Sequence, residues 1–411
     1  MNSYAILILV ALVVEWLLNL TADSLNLRAL SDKLPEAGKQ VYDGETYRRS
    51  QEYTRAKTRF GRIPGTVNLV LLLGFWYLDG FAILHRELVA LNYGSTVTGL
   101  LFIGALIVLS SLANLPFRYY STFVIEERFG FNRTTRGTFF LDMLKGAVLG
   151  TLLAGPLLAA VLALFEQAGD LAWLWCWIFV TVFTLIIQYI APTWIFPLFN
   201  KFKPLEDGEL KQAIMNYAER VGFPLSGLFV IDGSRRSSKA NAFFTGFGRN
   251  KRVALFDTLI EKHETDELVA VVAHEVGHFK RKHILKSMVL SIAHTGVLFW
   301  LLSLVLTHQG LFEAFSMTER PIYAGFVFFS LIYTPVEMLL SLFLQAQSRR
   351  NEFEADAYAA ETTGTPEALA AGLLRLSSNS LSNLTPHPFY VALHHSHPPV
   401  LDRVAALRSG T

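Results

Sequence analysis

Apolar residues fall in long unbroken runs along much of the chain. Seven runs approach the roughly 20 mostly apolar residues that a membrane-spanning helix needs: Tyr4–Leu20, Thr66–Leu84, Val97–Leu115, Gly146–Phe165, Leu171–Tyr189, Ser287–Leu306 and Ile322–Phe343. The first lacks a basic leading segment and runs into Leu-Asn-Leu-Thr rather than a small-residue cleavage site, so it reads as a retained anchor. Two long stretches, Ala191–Lys286 and Gln345–Thr411, are not spans and together make one aqueous domain split in sequence. The expected organisation is therefore spans one to five in 1–190 and a first aqueous part in 191–286. Spans six and seven follow in 287–343, and a second aqueous part in 344–411. The chain shows no internal repeat and no low-complexity segment.

Polar residues interrupt the spans at Glu15, Asn68, Asp79, Gln188, His294 and Glu337. Ionisable groups at membrane depth face a partner or a water-filled cavity. Interhelical pairs and a hydrated interior both account for them.

Loop charge alternates. Nine Lys and Arg residues lie between spans one and two, from Arg28 to Arg62, and five between spans three and four, but only Arg86 between spans two and three. The segment after span five and the C-terminal tail are again basic. The positive-inside rule then places the N-terminus outside and both aqueous parts in the cytosol.

Composition agrees with lipid contact: of 411 residues, 52% are hydrophobic and 17% charged, against about a quarter charged in soluble proteins. A formal net charge of +2 gives no electrostatic support for binding nucleic acid. The one cysteine, Cys176, lies in Leu-Ala-Trp-Leu-Trp-Cys-Trp and reads as packing rather than as a nucleophile.

Chemistry concentrates in Thr265–Lys280, a helix in which Thr265 is the expected N-cap and acidic residues fill the first turn. His274 and His278, four apart, project from one helical face, as two nitrogen ligands of one zinc ion must. Glu275, adjacent but not itself a ligand, is the candidate general base of this H-E-x-x-H pattern. A third ligand is expected in Ser348–Ala360. There Glu352 and Asp356 share a face, and Glu354 points roughly the opposite way. Glu352 as ligand with Asp356 behind an imidazole is a coherent pair; an ordinary charged helix face has the same spacing. His283, about 140° round from His278 on a continuous helix, should not bind the same ion. His394, His395 and His397 precede Pro398-Pro399 and read as a polar loop, a catalytic assist being the second reading.

Leu228–Ile231 reads as a buried strand. Asn241–Thr245 and Arg252–Phe256, joined by Gly-Phe-Gly-Arg-Asn-Lys, read as a hairpin. Its edge could hold an extended peptide, or could serve only to pack the metal helix.

With these residues in place, the chain resembles the type I CAAX prenyl proteases, which are integral-membrane zinc endopeptidases. The resemblance rests on His274–His278, Thr122–Thr135, Pro197–Phe202, Lys239–Gly246, Glu352–Asp356 and His394–Pro399. It implies a mainly α fold: seven membrane helices in a barrel around a water-filled chamber, with an α+β zincin-like domain split in sequence. It also implies one zinc ion per chain, with Glu352 joining His274 and His278. Asn241, Ala242 and Phe243 would bind the substrate backbone, and His397 and Arg403 would lie near the scissile carbonyl. The implied substrate is a prenylated or amphipathic peptide in the bilayer, cut before its C-terminal tripeptide.

The ending Arg408-Ser-Gly-Thr411 offers no retrieval signal, so a bacterial inner membrane is expected, or the endoplasmic reticulum in a eukaryote. Two rivals stand beside this reading. One is a membrane quality-control metalloprotease; the other is an amphiphile transporter with a structural zinc, against which the intact Glu275 speaks.

Overall fold

The computed structural model describes residues 2–245 and 251–410; the side chains of 243–245 and the turn expected at 246–250 lie outside that description. Five helices, α1 (Ser3–Ala29), α4 (Ser95–Tyr120), α5 (Arg136–Gln167), α6 (Ala172–Ile190) and α10 (His283–Val305), carry apolar spans, as does the first half of α12 (Ile322–Thr363). Short polar side chains start three of the long helices: Asn2, Asp43 and Thr135 accept the N–H of Ala5, Thr46 and Thr138.

The second expected span is broken. α2 (Gly44–Tyr77) and α3 (Gly80–Val89) meet at 61°. Asp79 takes the left-handed conformation (φ 56°), and Gly80 lies where a Cβ would stand 2.6 Å from the carbonyl oxygen of Phe75. Among the described residues six helices are thus long and apolar enough to cross a membrane, and seven when the bent pair counts as one span. In the most apolar 18-residue stretch of each of the six, only 6–22% of residues are buried, so their apolar surfaces must meet lipid or a cavity.

The polar residues within the spans divide accordingly. Glu15 and Glu337 line a cavity of about 850 Å³. Asn68 lines an adjoining one of about 530 Å³ that shares Glu15 and Asn19. Gln188 lines a third, of about 450 Å³, that reaches His278. His294 bonds Tyr333 at 3.0 Å, and Asp79 sits at the helix break. Cys176 is fully buried.

The aqueous part is built on a four-stranded sheet of order β1-β2-β4-β3: β1 (Phe202–Pro204), β2 (Leu225–Ile231), β3 (Ala242–Thr245) and β4 (Lys251–Phe256). β2 and β4 run parallel, β1 and β3 antiparallel to them, so the expected hairpin is present with β3 on the edge. β1, too short to announce itself, was not foreseen. Helix α7 (Glu209–Arg220), one-turn α8 (Asp257–Ile260), α9 (Thr265–Lys280), α13 (Pro366–Asn379) and α15 (Val400–Ser409) surround it. Leu228, Val253 and Leu255 of the sheet pack with Leu268, Val272 and Val276 of α9, Leu369 and Leu374 of α13, and Val404 of α15. Short α11 (Gln309–Glu313) and α14 (Pro388–His394) complete the fold.

Both chemistry-bearing helices lead directly into the spans. α9 ends at Lys280, Lys282 turns left-handed (φ 59°), and α10 begins at His283. α12 runs unbroken across the expected boundary at 343/344. α9 starts one residue earlier than its composition suggests: its cap is Glu264, not Thr265. Glu264 and Glu267 form a reciprocal capping box, each side chain accepting the other's backbone N–H.

Candidate metal centre

α9 and α12 pack against each other at Gly277, where a Cβ would stand 2.9 Å from the carbonyl oxygen of Ala355. That close approach brings one turn of α12 over the face of α9 that carries the two histidines. Nε2 of His274 and Nε2 of His278 are 3.0 Å apart. Glu352 Oε1 lies 3.3 Å from the second, and Oε2 lies 3.5 Å from the first. One ligand atom from each of these three residues falls within 4.8 Å of the other two.

Behind them, His274 Nδ1 lies 2.8 Å from Asp356 Oδ1. Arg403, from α15, donates to Asp356 through Nε and Nη2 and pairs with Glu352 Oε2 through Nη1 at 3.2 Å. Burial works against the charged forms of Glu352 and Asp356. The imidazoles and Arg403 outweigh it and hold both carboxyls well below their usual range.

Glu275 stands outside this bonded set. It is half-buried, has no hydrogen-bond partner among the described residues, and lines a cavity of about 140 Å³ together with His274, Glu352, Asn241, Ala242 and His397. His397 Nε2 reaches within 3.4 Å of Glu352 Oε1, while its Nδ1 bonds Ser396 Oγ at 2.9 Å.

The edge strand beside this cavity is anchored to the membrane helices. Lys239 donates to Tyr53 of α2 (2.7 Å) and to Glu126 (2.9 Å), and Arg236 forks onto Asp142 of α5. Asn241 accepts the N–H of Phe256 on its backbone carbonyl, and Ala242 and Phe243 pair with Leu255 and Ala254 of β4, so that among the described residues no strand pairs with the other edge of β3.

A family model for peptidase family M48 matches residues 204–411, and one for the five membrane helices of the CAAX prenyl protease N-terminal part matches 24–201. The chain belongs to peptidase family M48. It is 38% identical over 406 residues to CAAX prenyl protease 1 of Saccharomyces cerevisiae, covering 91% of this chain and 88% of that protein. It is 32% identical to the Homo sapiens homolog of CAAX prenyl protease 1, over 91% and 88% of the two chains. Among solved structures, S. mikatae Ste24p superimposes with a TM-score of 0.94 at 34% identity, covering 99% of both chains. The protein is accordingly a multi-span membrane metalloprotease, mainly helical, with six or seven candidate membrane helices among the described residues and a small sheet.

Membership of the family implies a metal ion, and the residues present fit one. His274 Nδ1 gives its proton to Asp356, and the hydrogen bonds around His278 Nδ1 place that ring's proton on Nδ1 as well. Both Nε2 atoms, 3.0 Å apart, thus turn toward the buried Glu352 carboxylate. Two imidazole nitrogens and a carboxylate oxygen converging in this way are a donor set for a divalent cation, which would replace the proton that His274 holds in the ion-free protein.

The geometry treats the expected residues differently. His274, His278, Glu352 and Asp356 converge, with Glu275 and His397 beside them. His394 and His395 stand off the ligand set. Arg403, which the resemblance implied beside the scissile carbonyl, is buried and has all three of its nitrogens paired with Asp356 and Glu352. Sequence reasoning missed two features: the close approach at Gly277, and a contact from His283 to His278. The second was hidden because the angular argument assumed one continuous helix, and the helix breaks at Lys282.

Proposed function

We propose that the chain is a zinc endopeptidase that cuts prenylated C-a-a-X proteins before their C-terminal tripeptide, by analogy with the named activity of its relatives. One observation carries the reading: a free carboxylate, Glu275, beside three converging ligands and an open strand edge. Two imidazoles and one carboxylate are a catalytic zinc donor set, with a coordination position left over. His274, His278 and Glu352 would hold one ion per chain, and the ion supplies Lewis acidity at the cavity.

The remaining chemistry belongs to the chain's own residues. The unpaired edge of β3, from Asn241 through Ala242 and Phe243, offers main-chain donors and acceptors to an extended peptide. Glu275 accepts a proton from the attacking water and delivers it to the leaving amine. His397 receives the Ser396 hydroxyl on Nδ1, which leaves the proton on Nε2, 3.4 Å from Glu352 Oε1, to be donated to the carbonyl oxygen as it gains charge. Arg403 and Asp356 fix the plane of His274. The basic loops support a cytosolic site, in a bacterial inner membrane or, in a eukaryote, the endoplasmic reticulum.

The test is a pair of peptides of one sequence, with and without the prenyl group, given to purified protein whose metal content has been measured. Prenyl-dependent cleavage with one zinc per chain is expected. Equal rates on both peptides would point to general quality control instead.

A further inference from the structure

The two histidine ligands are held in different ways. His274 gives its Nδ1 proton directly to a buried carboxylate. His278 Nδ1 instead lies 3.0 Å from Nδ1 of His283, and His283 Nε2 lies 3.1 Å from Glu354 Oε2. One arrangement of protons satisfies this chain. A carboxylate only accepts, so His283 carries its proton on Nε2 and donates it to Glu354. Its Nδ1 is then an acceptor, and takes the Nδ1–H of His278. The Nε2 lone pair of His278 is left facing His274 and Glu352, where the ion belongs.

The fold commits several features to this contact. His283 is 3% exposed, and its ring meets that of His278 edge-on, with centroids 5.2 Å apart at 72°. It gets there because Lys282 adopts a left-handed turn at which α9 stops and α10 begins. Glu354 lies two residues from both Glu352 and Asp356, on roughly the opposite side of α12 from their shared face. It therefore reaches a residue on α10 that those two do not, and Arg350 holds its other oxygen at 3.2 Å.

From this chain of contacts we infer that His283 and Glu354 are positioning residues for the ion, fixing the tautomer and ring plane of His278. The inference rests on the ligand set proposed above. Removing such a partner weakens metal binding roughly 10–100-fold, an effect that is read without any measurement of cleavage.

The experiment measures ion affinity by competition with a chelator, in purified full-length protein, beside the melting temperature of each ion-stripped variant. His283→Phe keeps the bulk and loses both hydrogen bonds; affinity falls by about 10–100-fold. His283→Gln can accept from His278 and donate to Glu354, and recovers most of the loss. Glu354→Leu weakens binding in the wild-type background and adds nothing to His283→Phe, because it acts only through that ring. Wild-type affinity in His283→Phe overturns the inference. So does an equal cost of Glu354→Leu in both backgrounds, or a set of losses that follows melting temperature rather than hydrogen-bonding capacity. Glu352→Ala separates the two claims: if it keeps its ion, the ligand set itself is wrong and the inference falls with it.

Discussion

Arg403 grips Asp356 with two hydrogen bonds, Nε to Oδ2 at 2.7 Å and Nη2 to Oδ1 at 2.6 Å, in a site where both residues are buried. Its remaining nitrogen pairs with Glu352. One guanidinium thus joins α15 to two carboxylates on α12, one of them the proposed third ligand. A planar fork matches a carboxylate in a way that an ammonium does not.

Replacing Arg403 therefore damages the site from behind. Arg403→Leu strands two buried carboxylates without their cation, and breaking a buried pair in this way costs about 3–5 kcal/mol. Arg403→Lys keeps the charge but loses the fork, and is expected to fall between the two. Thermal melting of the purified protein checks the order wild type, then Lys, then Leu. A Leu variant that melts with the wild type would show that the pair has no structural weight.

Glu275 is expected to act on the reaction and not on the ion. Its carboxylate bonds to none of the described residues and is not one of the three converging ligand groups, so Glu275→Gln preserves shape and leaves the ion bound. Loss of a positioned general base lowers the rate by about 10²–10⁴-fold. Metal analysis and peptide cleavage on the same preparation check both halves. Normal turnover by Glu275→Gln would remove the assignment.

Ion binding should expel a proton from His274. Burial opposes charge on this ring, but hydrogen bonds to Asp356 and Glu352 prevail and raise its pKa from 6.5 to about 9 in the ion-free protein. A folded-state pKa above the unfolded one makes protonation stabilising: that contribution is full below 6.5 and is lost as pH rises through about 9. The ion-stripped protein should therefore lose stability across this window, while its affinity for the ion increases. At pH 7.5 about one proton should be released per ion bound, measurable with an indicator dye in weak buffer. Release of none would contradict the raised value.

Much of this was legible because it depends on local geometry. Runs of apolar residues reveal spans wherever they occur, and the four-residue spacings of His274 with His278 and of Glu352 with Asp356 set a shared face on any regular helix. What escaped depends on interruptions and on contacts distant in sequence. Hydropathy runs straight through Asp79, whose left-handed turn bends the second span. Lys282 breaks α9 from α10 and redirects His283, a change no helical projection can anticipate. Thr265 is the better capper by type, yet Glu264 wins because Glu267 answers it three residues on. The pairing of Arg403 needs α15 folded back onto α12.

The crossing of α9 and α12 gives a prediction whose sign is informative. Gly277 lies inside a helix, where replacing glycine by alanine ordinarily stabilises by about 1 kcal/mol. Here the added Cβ would stand 2.9 Å from the carbonyl oxygen and 3.1 Å from Cα of Ala355, both backbone atoms that cannot rotate away. The helices must separate instead, and overpacking of this kind costs about 1–3 kcal/mol. The separation falls between His278 and Glu352, one residue from Gly277 and three from Ala355 respectively, so it also widens the ligand set. Gly277→Ala should therefore melt lower than the wild type and hold its ion less tightly, with the second effect larger than in a variant such as Gly372→Ala, whose Cβ would meet its nearest neighbour at 3.4 Å. A Gly277→Ala protein that melts higher and binds the ion normally would mean that the crossing has room to spare, and that the ligands do not depend on it.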